Sequence, residues 1–88
     1  MTINQFIREN RKGHFAPDVV CKDGFRMSVQ AGGGHRCTWL FGSLCSAEVA
    51  FPSRDEPLLD RHMDADGVAG WTPVEVIDAI IEKHGGLA

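Results

Sequence analysis

An alternation of apolar and polar residues in the first half of the chain is the clearest structural signal in the sequence. Residues 25–31 (FRMSVQA) place apolar side chains at every second position, which is typical of a strand with one buried face. Asp23 and Gly24 suit a tight turn, so the extended residues 18–22 are predicted to form a hairpin with this strand. The same alternation over residues 47–51 predicts a third strand.

Helical periodicity marks the N-terminal end. Thr2 and Gln5 have the spacing of a capping box, and the apolar residues at positions 3, 6 and 7 share one helical face. Gly13 is a stop signal, so the sequence predicts a helix over residues 3–12.

Signals for a second helix are concentrated near the other end. Thr72 is expected to cap it, Pro73 to occupy its first position and Glu75 to complete a capping box. Valine and isoleucine residues then recur at helical spacing until Gly85 and Gly86 end the pattern. These cues predict an amphipathic C-terminal helix.

The remaining segments complete the predicted architecture. The glycine run at residues 32–34 ends a strand, and residues 35–45 lack periodicity, which predicts an irregular, partly buried loop. The polar residues 53–67 predict a long loop with one short helical turn, and residues 68–71 predict a short fourth strand. The connections are too short for parallel crossovers. The predicted fold class is α+β: a single domain over residues 1–88, with a small antiparallel sheet of three to four strands and the N-terminal and C-terminal helices packed on one face.

Size and composition limit the class of protein. With 88 residues, of which 43% are hydrophobic and 24% charged, the chain resembles one ordinary globular domain. No segment approaches the roughly 20 apolar residues of a membrane span, and no secretion signal is present, so we expect a cytoplasmic protein without membrane contact. The number of cysteines, three, is odd, which favours reduced thiols. The spacing of Cys37 and Cys45 would nevertheless allow a disulfide between them.

The net charge of −3 hides an asymmetry between the two parts of the chain. Residues 1–47 carry six basic and three acidic side chains, whereas residues 48–88 carry three basic and nine acidic ones. The first part therefore has a charge of +3 and the second a charge of −6. Such a split can mark an interaction surface, and a basic partner would be drawn to the acidic part at a salt-dependent rate.

No set of residues has the spacing of a known catalytic or metal site. Residues 32–35 (GGGH) lack the spacing of a nucleotide-binding loop. His35, Cys37, Cys45 and His62 could supply zinc ligands by type but not by spacing, and a cysteine–histidine pair lacks a recognisable oxyanion site. An enzyme, a metal and a cofactor are therefore not predicted, and a small zinc or thiol enzyme built on His35, Cys37 and Cys45 is kept as an alternative.

The remaining candidate site is the acidic segment within residues 53–67, together with two aromatic residues. Carboxylates spaced along a rigid face can occupy a basic groove that normally holds a nucleic-acid backbone; an ordinary solvated loop is the simpler interpretation. Trp39 and Phe41, if exposed, would be apolar anchors for the same partner, although core packing is the commoner role of such rings. The predicted partner-binding carboxylates are Asp55, Glu56, Asp60, Asp64 and Asp66.

Several stretches resemble a family of small proteins from phages and mobile elements. They are residues 19–31 (VVCKDGFRMSVQA), 49–53 (VAFPS) and 73–86 (PVEVIDAIIEKHGG). The whole chain also resembles the type I-C anti-CRISPR proteins of Pseudomonas mobile elements. The resemblance implies a non-enzymatic inhibitor in the cytoplasm of a bacterial host cell, which binds the crRNA-guided surveillance complex (Cascade) and prevents target DNA recognition or nuclease recruitment.

The same resemblance implies the partners and marks where this chain differs. The implied partner is one or more Cas proteins of a type I Cascade complex, bound by a monomer that makes no direct contact with nucleic acid. A phage accessory protein that binds another host factor is the alternative. Relatives tend to carry a Cys-x-Pro-Arg stretch where this chain has Cys37, Thr38, Trp39 and Leu40, and tyrosines before the last helix where it has Ala69 and Trp71. We therefore expect the middle of the chain to contact a partner of its own.

Overall fold

In the computed structural model, which describes residues 1–88, three helices accompany a five-stranded antiparallel sheet. The α+β class with a helix at each end of the chain is confirmed, and the sheet has five strands rather than three to four. The elements in chain order are α1 (Ile3–Asn10), β1 (Val19–Val20), β2 (Arg26–Gln30), β3 (Thr38–Leu40), β4 (Ser43–Ala50), α2 (Pro57–Asp60), β5 (Val68–Pro73) and α3 (Val74–Lys83). None of the helices has the length and apolar character needed to cross a membrane.

The longest strand, β4, lies at the centre of the sheet. Ser46 pairs with both β3 and β5, and Val49 pairs with both β2 and β5. Because a residue has one neighbour on each side of a strand, β5 lies along one edge of β4, whereas β2 and β3 lie end to end along the other. Residues 31–37 are therefore an excursion between two segments of what is nearly one strand.

The sheet continues beyond β1 through the C-terminal tail. The amide of Lys22 donates to the carbonyl of Gly86, and the amide of Ala88 donates to the carbonyl of Val20, both at 2.9 Å. These bonds cover the outer edge of β1, so its backbone groups are paired within the chain.

One hydrophobic core of 17 buried residues joins α1 and α3 to the inner face of the sheet. The helices contribute isoleucines at helical spacing, and β2 contributes alternate positions, as its sequence predicts. Fully burying one large apolar side chain stabilises a fold by about 1.5–3 kcal/mol. The largest buried apolar side chains are Phe25, Ile3, Ile7, Met27, Leu44, Leu59, Ile77 and Ile80.

The capping prediction is confirmed for α1 and wrong for α3. The Thr2 hydroxyl accepts from the amide of Gln5, and the Gln5 side chain accepts from the amide of Thr2. Thr72, in contrast, is fully buried in β5 and donates to the carbonyl of Ala69. The N-cap of α3 is Pro73, with no side-chain cap bond, because pairing with β4 keeps the preceding residues extended up to the first helical turn.

The prediction of an irregular loop over residues 35–45 is wrong in its second half. Residues 38–45 form β3, a two-residue turn and the start of β4. The sequence conceals this hairpin because its turn contains Phe41 followed by Gly42, both with positive φ, where Asn-Gly is the usual signal. The short helical turn predicted within residues 53–67 is confirmed as α2.

Candidate functional site

The tip of the β3–β4 hairpin, Trp39–Gly42, presents apolar side chains to solvent. Trp39 is 38% exposed, Leu40 54% and Phe41 106%. Pairing of Leu40 with Ser43 leaves a two-residue loop, and positive φ at both of its residues makes it a type I′ turn. Both aromatic residues predicted as anchors therefore lie at the hairpin tip, with Phe41 outside the core.

Three residues other than glycine have positive φ, and all three are exposed aromatic residues. They are Phe41 (φ 50°), Phe51 (φ 53°) and Trp71 (φ 49°), and their exposed fractions are 106%, 83% and 55%. The left-handed conformation costs an L-residue other than glycine roughly 1–2 kcal/mol. Contacts within the molecule offset little of this for Phe41 and Phe51, so the rings are available to a partner.

Trp71 owes its position to a bulge in β5. Ala47 pairs with Thr72 and Val49 pairs with Ala69, so two residues of β5 face a single residue of β4, as in a bulge. The amide of Trp71 donates to the carbonyl of Arg36 at 2.9 Å.

The excursion over residues 31–37 crosses the outer face of the sheet and carries a polar cluster. His35 Nδ1 lies 2.7 Å from a carboxylate oxygen of Glu48, and its Nε2 lies 2.9 Å from the carbonyl of His14. Arg36 lies 3.5 Å from Glu48 and 2.8 Å from Asp64, with its guanidinium 5.8 Å from the centre of the Trp71 ring. Through these contacts, residues 31–37 are held across β4 and bound to the bulged part of β5.

Asp64, one of the five predicted partner-binding carboxylates, belongs to that cluster. The backbone amide of Val68 and the guanidinium of Arg36 lower the pKa of Asp64. Its charge is therefore matched by a cation of the same molecule. Asp64 does not contribute an uncompensated negative charge to the surface.

The prediction that Glu56 belongs to an exposed acidic surface is wrong, because Glu56 is only 2% exposed. It caps α2 by accepting from the amide of Leu58 at 3.0 Å, and its oxygens lie 2.9 Å from Lys83 Nζ and 2.7 Å from His84 Nε2. Burial would raise the pKa of Glu56, but the Leu58 amide, Lys83 and His84 outweigh it and lower the pKa. Glu56 is a structural group.

A second, partly exposed carboxylate, that of Asp23, completes this network. His84 Nδ1 lies 2.6 Å from an oxygen of Asp23, and the imidazole stacks on Phe25 with ring centres 4.1 Å apart. The Phe25 amide, followed by His84 and Arg54, lowers the pKa of Asp23. The network joins the end of α3 to the β1–β2 turn and, through Glu56, to α2. Sequence reasoning missed it, because the three residues are far apart in the chain and no sequence pattern links them.

Three predicted carboxylates remain exposed without an ion pair: Asp55, Asp60 and Asp66. Asp55 lies before α2, Asp60 at its end and Asp66 in the turn before β5. The acidic segment is thus divided between a buried group, a paired group and these three.

The three cysteines are free thiols. Cys21 is buried, and Cys37 and Cys45 are partly buried without a bridge between them. Burial raises the pKa of both Cys21 and Cys37, which disfavours the nucleophilic thiolate. No three His, Cys, Asp or Glu side chains are grouped so that they could hold a metal ion, so the possible zinc ligands, His62 included, are not brought together.

A cleft that sequence reasoning did not anticipate lies between the end of α1 and the β3–β4 hairpin. Its volume is about 470 Å³. Its wall includes Arg11, Trp39 and the glycine run at residues 32–34. We refer to it as the α1–hairpin cleft.

Comparison of the chain with models of protein families, with curated proteins and with solved structures finds no match. The geometry itself is therefore the guide to function. It consists of exposed aromatic residues on a hairpin tip and beside a bulge, the three free carboxylates of the acidic segment and a cleft beside a cationic helix end.

Proposed function

We propose that the protein is a non-enzymatic inhibitor that binds the type I-C Cascade complex and blocks its binding to target DNA, and that exposed aromatic residues form the main contact. The observation that carries this proposal is the left-handed backbone of Phe41, Phe51 and Trp71, whose rings are exposed. Large aromatic side chains dominate the energetics of protein interfaces. Residues that destabilise the free molecule and project into solvent are explained by contacts made in a complex.

The resemblance to small proteins from phages and mobile elements supports the same division of the molecule. The resembling stretches lie in β1, β2, the end of β4 and α3, which build the core. The two departures lie in β3, which contains Trp39, and in the bulge of β5, which contains Trp71. Trp39 and Trp71 therefore lie where the chain differs from its relatives, whereas Phe51 lies in a resembling stretch. A shared scaffold with two rings of its own fits a protein that recognises its own variant of a common target.

The three free carboxylates have a supporting role in this proposal. With Glu56 buried and Asp64 paired to Arg36, a continuous imitation of a phosphate backbone is not available. Exposed charges of one sign instead steer a basic partner and raise the rate of association. Asp55, Asp60 and Asp66 are suited to that function.

The direct test is binding of the purified protein to purified type I-C Cascade, followed by competition with target DNA. The double variant Phe41→Asn with Trp71→Asn should weaken binding at least about 30-fold, since each change removes a central ring. Neutralising Asp55, Asp60 and Asp66 together should mainly slow association and reduce its dependence on salt.

The matched control is Leu58→Asn, which removes a side chain that is 40% exposed on α2 and lies in a right-handed helix. This variant should bind like the parent protein. Absence of association at micromolar concentrations would remove the proposal, and unchanged affinity of the Phe41 and Trp71 double variant would place the contact elsewhere.

A further inference from the structure

The cations at the end of α1 have no acidic partners. Four of the nine Lys and Arg side chains form ion pairs, and five do not. Three of the five unpaired cations, Arg8, Arg11 and Lys12, lie within five consecutive residues. Glu9 is the only carboxylate in that stretch, so the end of α1 carries an uncompensated positive charge beside the α1–hairpin cleft.

Arg11 and Trp39 are held together on the wall of this cleft. Arg11 Nη1 and Trp39 Nε1 both donate to the carbonyl of Ala31, at 3.2 Å and 2.8 Å. The guanidinium lies 5.3 Å from the centre of the indole ring, within the range of a cation–π contact. The guanidinium therefore lies over one face of the indole ring, and the two groups form a defined arrangement on the cleft wall.

The glycine run adds backbone donors to the same wall. Gly33 and Gly34 are exposed, and their amides donate to no acceptor within the protein. The backbone of Gly32 packs closely against that of His14. Only glycine fits there, because a Cβ on Gly32 would lie 2.6 Å from the Cα and the carbonyl oxygen of His14. Free backbone amides beside a cation suit the oxygens of a phosphate group.

Further aromatic rings stand near the cleft. Phe41 projects from the hairpin tip, next to Gly42 on the cleft wall. Phe15 is 65% exposed and lies edge-on to His35, another wall residue, with ring centres 5.2 Å apart. Cationic grooves with aromatic platforms are typical of proteins that bind single-stranded nucleic acid, because phosphates meet the charges and bases stack on the rings.

We propose that the α1–hairpin cleft binds single-stranded nucleic acid, with Arg11 and the glycine amides on phosphates and Trp39 against a base. Lys12 does not line the cleft, and its positive charge adds to the attraction from the adjoining end of α1. An acidic peptide would satisfy the cations but would leave the aromatic faces unused. The proposal does not rest on binding to Cascade, because an isolated oligonucleotide tests it directly. It also differs from the expectation that the protein makes no direct contact with nucleic acid.

The experiment is fluorescence anisotropy of labelled 12-nucleotide oligo(U) and oligo(dT) with the full chain at about 50 mM salt. Binding should weaken as the salt concentration rises. A plot of the logarithm of the association constant against the logarithm of the salt concentration should have a slope of about −0.7 for each phosphate contacted. An oligodeoxynucleotide of the same length without bases should bind at least about 10-fold more weakly, because stacking is lost. This comparison needs no variant, so it does not depend on the folding of one.

Matched charge variants locate the site. Arg11→Gln with Lys12→Gln should lower affinity at least about 10-fold. Lys22→Gln with Arg61→Gln removes two other unpaired cations and should leave affinity nearly unchanged.

The absence of binding at low salt would overturn the proposal. It would also be overturned if the strand without bases, or an oligoglutamate of equal charge, bound as tightly as the oligonucleotides. Equal weakening by both pairs of substitutions would overturn it as well. Loss of Cascade binding with retained oligonucleotide binding would refute only the proposed function. The reverse result would refute only this inference.

Discussion

Phe41 occupies a backbone conformation to which phenylalanine is poorly suited. Its φ of 50° brings Cβ close to its own backbone, and its ring is exposed at the hairpin tip. The first position of a type I′ turn favours Asn or Gly, for which the left-handed region is less costly. The residue that best suits recognition at this position is therefore not the one that best suits the turn.

This conflict gives an expectation for stability that is opposite to the one for binding. Phe41→Asn should raise the free energy of unfolding by about 0.5–1 kcal/mol, since Asn tolerates positive φ and the ring packs against little. Urea denaturation measures it. Phe15→Asn is the control, because Phe15 is 65% exposed without positive φ, and it should bring no gain. A loss of stability in Phe41→Asn would mean that the ring packs within the free molecule.

At the scale of elements, the excursion over residues 31–37 is the feature that builds both candidate surfaces. It interrupts the strand formed by β2 and β3, crosses β4 to reach Trp71 through Arg36, and lines the α1–hairpin cleft with its glycines. Gly32 allows its close approach to His14. A side chain at this position cannot be accommodated without displacing backbone.

Gly32→Ala should therefore lower the free energy of unfolding by about 1–3 kcal/mol, the usual range for inserting a methyl group into a packed site. Gly33→Ala is the matched control, because its Cβ would lie 3.3 Å from a mobile side-chain atom of His14; it should cost well under half as much. Thermal and urea unfolding of both variants provide the comparison. Equal effects would show that the backbone of His14 moves away freely.

At the scale of the whole molecule, charges buried or half-buried between elements hold distant parts of the chain together. The Asp23–His84–Glu56 network links the β1–β2 turn, α3 and α2, and each ring nitrogen of His84 can donate to one carboxylate when the ring is doubly protonated. Arg36 and Asp64 join the excursion to the segment before β5. These carboxylates stabilise the fold in their charged form.

The structure therefore implies a defined response to acid. The pKa values of Asp23, Glu56 and Asp64 are lowered in the folded protein, so their contribution is present above the ordinary carboxyl pKa of about 4. It is lost as the pH falls below that value towards the folded pKa values, since the unfolded chain binds protons first.

Urea denaturation between pH 6 and about pH 3 should show a steady loss of stability below about pH 4.5. Glu56→Gln should be less stable at neutral pH, and its stability should fall less steeply with acid. Asp60→Asn, which changes an exposed carboxylate without an ion pair, should follow the parent protein. Parallel curves for the parent and Glu56→Gln would contradict this role of Glu56.

Features that depend on residues close together in the chain can be predicted from the sequence, whereas features that depend on distant residues cannot. The Thr2–Gln5 capping box, the alternating strand β2 and the glycine end of α3 depend on residues a few positions apart, and these predictions are confirmed. Thr72 was misassigned as a cap because it meets the same local pattern, while pairing of β5 with β4 buries it. The sequence does not predict the β3–β4 hairpin, because Phe41 occupies a turn position that usually holds Asn.

Local sequence patterns are sufficient to predict the α+β class, the two terminal helices and the balance of charge, since periodicity depends on neighbouring residues and charge on composition. Which charges are free depends on the folded structure, in which Glu56 is buried against His84, Asp64 is paired with Arg36 and Arg11 lies over Trp39. The physical reason is that ion pairing and burial depend on distances between residues far apart in the chain. Composition counts every carboxylate equally, whereas folding separates those that hold the molecule together from those that can meet a partner.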